Sequence, residues 1–371
     1  MSTSLTHKIL DWCARNLWGL PSEIHQMPLS LLNPEQKLPL KMAPIPVMDV
    51  GYALHTDELT GRVKKEPFLL DTREFLKAGE RDAILASSGM GKSYLTGILL
   101  EEILEKSQQV VFIFDFEPEW YTLKARYDND NRSFKVIGSK ESPWPAVLAI
   151  PATADQKQIQ DCLNTFELAM APFIQGLIHL GISCVFDLSS FPDRDKQGMT
   201  AVLCELIFRG EYNLQDQDDA LHNDCRKIRV AVDEAHLVAS QYPEKLQHNS
   251  LEAILKIAKR GRKRNIHLLV ATQTPASINK EVLKQCNRYW LGGITSHLDY
   301  KPNKSIYLAA GLTLDAVQKL EAGTFVYASG LTRQTIVGRT RHCKHGGETK
   351  KETTRPIASK SEADALLKEF L

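Results

Sequence analysis

The sequence has no run of about 18 uninterrupted apolar residues of the kind that crosses a bilayer. Its most apolar stretch, 169–186, is broken by Pro172, Gln175, Gly176, His179 and Gly181 and reads as buried core. The amino terminus, MSTSLTHKILDWCARN, has neither a basic segment followed by an apolar block nor a small-residue cleavage site, so export is not expected. The seven cysteines include no C-x-x-C pair and are odd in number, which fits reduced thiols in the cytoplasm better than a disulfide framework. A charge excess is missing too: 46 Lys and Arg face 45 Asp and Glu, for a net charge of +1. The molecule as a whole is not polybasic, and any contact with nucleic acid has to be local.

What is present is an ordinary globular mix over 371 residues, 43% hydrophobic and 25% charged. Ile9, Leu10, Cys13, Leu17 and Trp18 recur at helical spacing before Pro21, and a proline-rich stretch follows from Pro28 to Pro46. Residues 1–48 therefore read as a helix and an extended arm, packed on the core or docking a partner. From about Val50 onward, β-branched runs alternate with helical segments, the pattern of a wound, mostly parallel α/β sheet with helices on both faces. Strands are expected at 83–86, 110–114, 183–188, 228–232 and 267–272, with a terminal hairpin at 324–328 and 334–337 around Ser329-Gly330. The boundaries are then 49–341 for the α/β core and 342–371 for a basic tail with a short terminal helix; the run RTRHCKHGGETKKETTR reads as mobile.

The segment AILASSGMGKSYLTGILL places a strand, a glycine-rich turn and a helix in succession. Backbone N–H groups of Ser88, Gly89, Met90, Gly91, Lys92, Ser93 and Tyr94 can cradle phosphates at the positive end of the helix, with Lys92 reaching the β- and γ-phosphates and Ser93 reaching Mg²⁺. The pattern G-x-x-x-x-G-K-[ST] has Ala86 where its first glycine belongs, so the turn there must be one that alanine tolerates. Asn279-Lys280 and Asn303-Lys304 lack the aspartate two positions on that guanine readout would use, and ATP is the expected nucleotide.

The run Ile228–Val232 ends in Asp233-Glu234-Ala235-His236, which puts two carboxylates at the carboxyl end of a strand, where wound sheets bind ligands. Asp233 is suited to Mg²⁺ or its water, and Glu234 to polarising the attacking water. His342, Cys343 and His345 match no zinc spacing, so no metal beyond Mg²⁺ is assigned.

With the phosphate loop, DFEPEW at 115–120, ISCVFDLSSFPDRDKQ at 182–197, VAVDEAH and RGRKRNIHLLVATQTP, the chain resembles the HerA/FtsK family of ring-shaped, DNA-translocating ATPases, HerA being the nearer branch. The resemblance implies a RecA-like ASCE fold over roughly 51–341, a homohexamer, and Gln273 as the sensor of the γ-phosphate. It implies that Arg262, with Arg260 next in line, reaches a neighbouring subunit's nucleotide, and that Asp115 and Glu119 form an accessory acidic pair. The same basic segment also reads as a track for DNA phosphates, with Lys263, Arg264, Arg194, Lys196, Lys350 and Lys351 as further contacts.

The expected function is an ATP-hydrolysing ring motor that translocates or remodels double-stranded DNA through its backbone, without sequence preference. A superfamily 2 helicase is disfavoured, because the 137 residues after Glu234 leave no room for a second RecA-like domain. The alternatives are a nucleotide-gated scaffold that recruits a nuclease or other effector, and a protein-handling ATPase of type IV secretion kind.

Overall fold

A computed structural model describes residues 47–343 except 57–61, 76, 78, 108, 129–132, 211–226, 245 and 331. The helix and arm expected before Val47, and the tail residues Lys350 and Lys351, lie outside the described residues.

Eleven strands form one sheet. They are β1 (Val47–Thr56), β2 (Val63–Asp71), β3 (Arg81–Leu85), β4 (Val110–Asp115), β5 (Phe134–Ile137), β6 (Ser183–Asp187), β7 (Ile228–Val232), β8 (Ile266–Thr272), β9 (Arg288–Leu291), β10 (Thr324–Ser329) and β11 (Thr332–Gly338). Their order is β2-β1-β11-β10-β9-β3-β8-β7-β4-β6-β5. From β9 to β5 all neighbours are parallel; β10, β11, β1 and β2 extend the sheet as an antiparallel wing. The strand leading into the phosphate loop, β3, is separated from the acidic strand β7 by β8. This is the expected wound, RecA-like sheet, and it sets the ends of β3, β8 and β7 side by side.

Alternation along each strand divides the core into two layers. Phe112 and Phe114 of β4 face one side with Met170, Phe173 and Leu177 of helix α2 (Gln156–Leu180), Leu203 of α3 (Asp193–Gly210) and Ile254 of α4 (Leu246–Arg260). Val111 and Ile113 face the other with α1 (Lys92–Lys106), whose stripe of Leu95, Ile98, Leu99, Ile103 and Leu104 is fully enclosed. The apolar stretch 169–186 supplies the end of α2 and strand β6, joined at Gly181 with φ +72. Helix α2 starts on a capping box between Asp155 and Gln158. Among the described residues no helix is long and apolar enough to cross a membrane.

Charge is also used inside. Asp82, fully buried in β3, accepts from Arg229 (2.9 Å), Arg288 (2.8 Å twice) and the Trp290 indole (3.2 Å). Burial alone would raise its carboxyl, but Arg288 and Arg229 hold it below the usual range. The cluster ties β9, β3 and β7 together at their entry ends.

The beginning of the expected mobile tail is instead a strap across α1. Glu101 of α1, fully buried, receives Arg339 (3.1 Å), Arg341 (3.4 Å) and the backbone N–H groups of His342 (3.0 Å) and Cys343 (2.7 Å). Arg339 also bonds Glu102 at 2.9 Å. The Arg341 guanidinium lies over the space above Gly97, where a Cβ would collide with it. Arg339, Arg341 and Cys343 are thus buried, with Thr340 and His342 exposed between them, because two buried glutamates on one helix turn need cations.

Candidate functional site

The phosphate loop leaves β3 at Ala86 and returns the chain to α1 at Lys92. Among the described residues the only non-glycine positive φ angles belong to Glu234 and Asn265, so alanine stands at position 86 without strain. Gly89 (φ +79) and Gly91 (φ +88) do use the left-handed region, and a Cβ on Gly89 would meet nothing. The loop is anchored from behind: Ser87 N–H donates to the Gly293 carbonyl (2.9 Å), Thr295 N–H donates to Ser87 Oγ (3.1 Å), and Gly323 N–H donates to the Met90 carbonyl (3.1 Å). Gly91 caps α1 with no side-chain bond, so the first N–H groups of the helix are available to an anion.

Lys92 is buried and bound to both members of the acidic pair, to Asp233 Oδ1 and, at 2.9 Å, to Glu234 Oε1. Burial by itself would lower its pKa, but the charges of Asp233 and Glu234 overrule it and hold the ammonium above its ordinary value. Burial pushes Asp233 upward, with Lys92 pulling against it. Glu234, two residues past the end of β7, sits at φ 42, and its own N–H donates to Asp233 Oδ1 at 2.9 Å. Burial would raise Glu234 as well; His236 Nδ1 (3.3 Å), Lys92 and the Gln273 N–H (3.3 Å) bring it down to about 2. Gln273, the residue after β8, is therefore joined to Glu234 through its backbone and keeps its amide partly exposed beside the site.

The accessory acids separate in role. Asp115, at the end of β4, accepts the N–H groups of Glu119 (3.0 Å) and Trp120 (2.9 Å), which folds DFEPEW back toward Asp233. Burial pushes its carboxyl up to about 8, helped by the charges of Asp233 and Asp187 and opposed by those two N–H bonds. Glu119 is placed by this turn, half-buried, next to Trp120.

Three contributors escaped the sequence reading. The Trp120 indole donates to Asp233 Oδ2 at 3.2 Å, His236 steadies Glu234, and Thr272 Oγ1 lies 3.1 Å from His236 Nδ1. Trp120 and His236 lie inside quoted motifs, yet the bond from Trp120 spans 113 positions and no local pattern announces it.

Other sequence candidates fall elsewhere. The Tyr94 hydroxyl accepts Arg341 N–H (3.2 Å), so its side chain is tied to the strap while its backbone remains in the first turn of α1. Arg194 donates to the carbonyls of Pro151 (2.8 Å) and Ala152 (3.3 Å), and Lys196 lies 3.7 Å from Asp193. Arg260, Arg262 and Lys263 are exposed, with Arg264 half-buried, but they precede β8 and thus lie at the opposite end of the sheet from Gln273.

Residues 61–170 match the family model described as Helicase HerA, central domain. Over that segment, which carries the phosphate loop and DFEPEW, the HerA kinship read from the motifs is borne out. No curated protein matches the chain in sequence. Among solved structures, VirB4 of Thermoanaerobacter pseudethanolicus is similar at 15% identity and a TM-score of 0.49, over 78% of this chain and 97% of that one. The genome packaging NTPase B204 from Sulfolobus turreted icosahedral virus 2, in complex with ATP-gammaS, is similar at 14% identity and a TM-score of 0.42, over 71% and 98% of the two chains. EssC (ATPases 2 and 3) from Geobacillus thermodenitrificans gives 15%, 0.41, and 80% of this chain against 45% of that one.

Proposed function

We propose, from the HerA kinship of the phosphate-loop segment and the site it opens onto, that the protein hydrolyses ATP as a homohexameric ring motor acting on the backbone of double-stranded DNA. One observation carries the ring. Arg260 and Arg262 precede Ile266, Gln273 follows Thr272, and the strand between them has seven residues. At about 3.3 Å per residue the arginines stand roughly 20 Å from their own phosphate loop. An arginine used in hydrolysis from that position acts on the nucleotide of another copy, which supports a heterologous, repeating interface.

Within one subunit the roles follow from the contacts. The N–H groups of Ser88, Gly89, Gly91, Lys92 and Ser93 take the phosphate chain, that of Met90 being bonded to the Ser87 carbonyl at 3.2 Å, and Lys92 leaves the acidic pair for the β/γ oxygens. That departure removes one of the groups depressing Glu234, so its basicity rises when a phosphate is present and an attacking water needs orienting. Gln273, bonded to Glu234 through its N–H, reads the γ-phosphate. Ser93 Oγ and the Asp233 carboxylate form an oxygen-only donor set that suits a hard cation, Asp233 acting through water because both of its oxygens already have protein partners. Mg²⁺ bound there with ATP would neutralise charge developing on the phosphates.

Turnover with and without duplex DNA, in wild type and in Glu234→Gln, tests the reading. Wild type should turn over faster with DNA, while Glu234→Gln should keep ATP binding and lose turnover. Equal wild-type rates with and without DNA would remove translocation from the proposal.

A further inference from the structure

The entry end of the sheet, remote from the phosphate loop, holds a cavity of about 580 Å³ lined by Arg81, Phe208, Arg209 and the basic run Lys256, Lys259, Arg260, Arg262, Lys263 and Arg264. That volume is in the range of small-molecule sites. Eight of its lining residues are cationic, which the fold alone does not require. Part of the charge has a structural purpose: Arg209 pairs with Glu167 (2.6 Å), Lys256 pairs with Glu205 (2.6 Å), Arg264 donates to the Phe208 carbonyl (2.7 Å), and Arg81 donates to the Ala258 carbonyl. The last two satisfy carbonyls at the carboxyl ends of α3 and α4, and the first two are side-chain ion pairs. They leave Lys259, Arg260, Arg262 and Lys263, whose side chains carry no hydrogen bond or ion pair among the described residues. Four cations converging on one concavity repel one another, and an anion in the cavity is what relieves that repulsion.

The kind of anion is narrowed by Phe208. Arg264 lies 4.2 Å and Lys256 4.9 Å from its ring centroid, so the one aromatic of the cavity is already occupied by cations and is no open platform for a base. We infer that this cavity is a phosphate-binding site, separate from the phosphate loop, that takes a run of phosphate groups through charge without reading a base. The inference deepens the motor reading by naming where phosphate is held at the far end of the sheet, yet its test does not depend on turnover.

The experiment uses the full chain, saturated with a non-hydrolysable ATP analogue and Mg²⁺ so that the phosphate loop is filled. Inorganic tripolyphosphate is titrated calorimetrically at low salt into three proteins: wild type, Lys259→Ser/Lys263→Ser, and the control Lys140→Ser/Lys157→Ser, which removes equal charge from exposed positions elsewhere. Unchanged thermal melts establish that the variants are folded. The expected result is a loss of about tenfold or more in affinity for the cavity variant, the control remaining within about twofold. Equal losses in both variants, no loss in either, or no binding by wild type would overturn the inference. Should the analogue itself fail to bind, the phosphate-loop reading fails, while the difference between the two variants still decides the cavity. A short duplex DNA added as competitor identifies the source: displacement of tripolyphosphate assigns the site to a nucleic-acid backbone, and persistence assigns it to a triphosphate chain.

Discussion

Lys92→Met keeps most of the lysine stem and removes the charge that Asp233 and Glu234 share. Both carboxylate residues are 5% exposed, so the loss leaves two acids buried beside an apolar group. Removing one partner of a buried ion pair costs about 3–5 kcal/mol, and that is the expected destabilisation at pH 7. The cost has a pH signature. In wild type, Glu234 titrates at about 2, below its ordinary 4.5, so its stabilising contribution is complete above 4.5 and disappears as pH falls toward 2. At 1.36 kcal/mol per pKa unit it amounts to at most about 3 kcal/mol, less where solvent screens the carboxylate. Without Lys92, the buried acids titrate higher than in the unfolded chain. The folded variant then binds the extra protons, and its stability declines as pH rises from about 4 through neutrality. The gap between wild type and variant should therefore widen from pH 5 to pH 8 in urea unfolding. A gap that stays constant, or a variant as stable as wild type at pH 8, would refute the charged arrangement of lysine and two carboxylates.

Arg262→Ala should retain ATP binding through its own phosphate loop and lose hydrolysis, and mixing it with Lys92→Ala should restore some activity in mixed rings; mixed rings that stay inactive would rule out Arg262 as the trans-acting residue. Arg339 and Arg341, paired with Glu101 and Glu102 inside their own subunit, are not expected to take over that role. Glu101→Ala should destabilise the protein by about 3–5 kcal/mol in urea, because it leaves the Arg341 cation and two N–H groups without their acceptor and Arg339 with Glu102 as its one anionic partner; a loss below about 1 kcal/mol would mean that the strap contributes little.

Four strands of the parallel half were legible because they are short apolar runs: β7 falls on 228–232 as expected, and β4, β6 and β8 differ by a residue at one end. The phosphate loop and acidic pair were legible because they are contiguous. Other strands were hidden by polarity. Strand β9 opens with Arg288, which a hydrophobic pattern counts as surface although Asp82, 206 positions earlier, makes it core. Strand β2 is mostly exposed and contains Pro67, and β5 is four residues long with a buried Lys135. The strap was hidden for the same reason, since RTRHC is basic in sequence and its Arg339, Arg341 and Cys343 become interior only when Glu101 and Glu102 are set against them. Partners far apart in sequence turned charged residues into core, and composition windows do not see such partners.

The pairing of β1 with β11 has a consequence for the order in which the chain takes shape. The first described strand joins the sheet only through the last one, Gly51 lying opposite Gly338, and β2 joins only through β1. On a ribosome the β1–β2 hairpin emerges first and then waits through the synthesis of the whole parallel half before its partner exists. Until β11 appears, β1 presents an open edge of the kind that invites pairing with other chains. Closure of the sheet is thus a late, long-range event, slow by topology, and the nascent protein is most exposed to aggregation just before β11, the last described strand, is made.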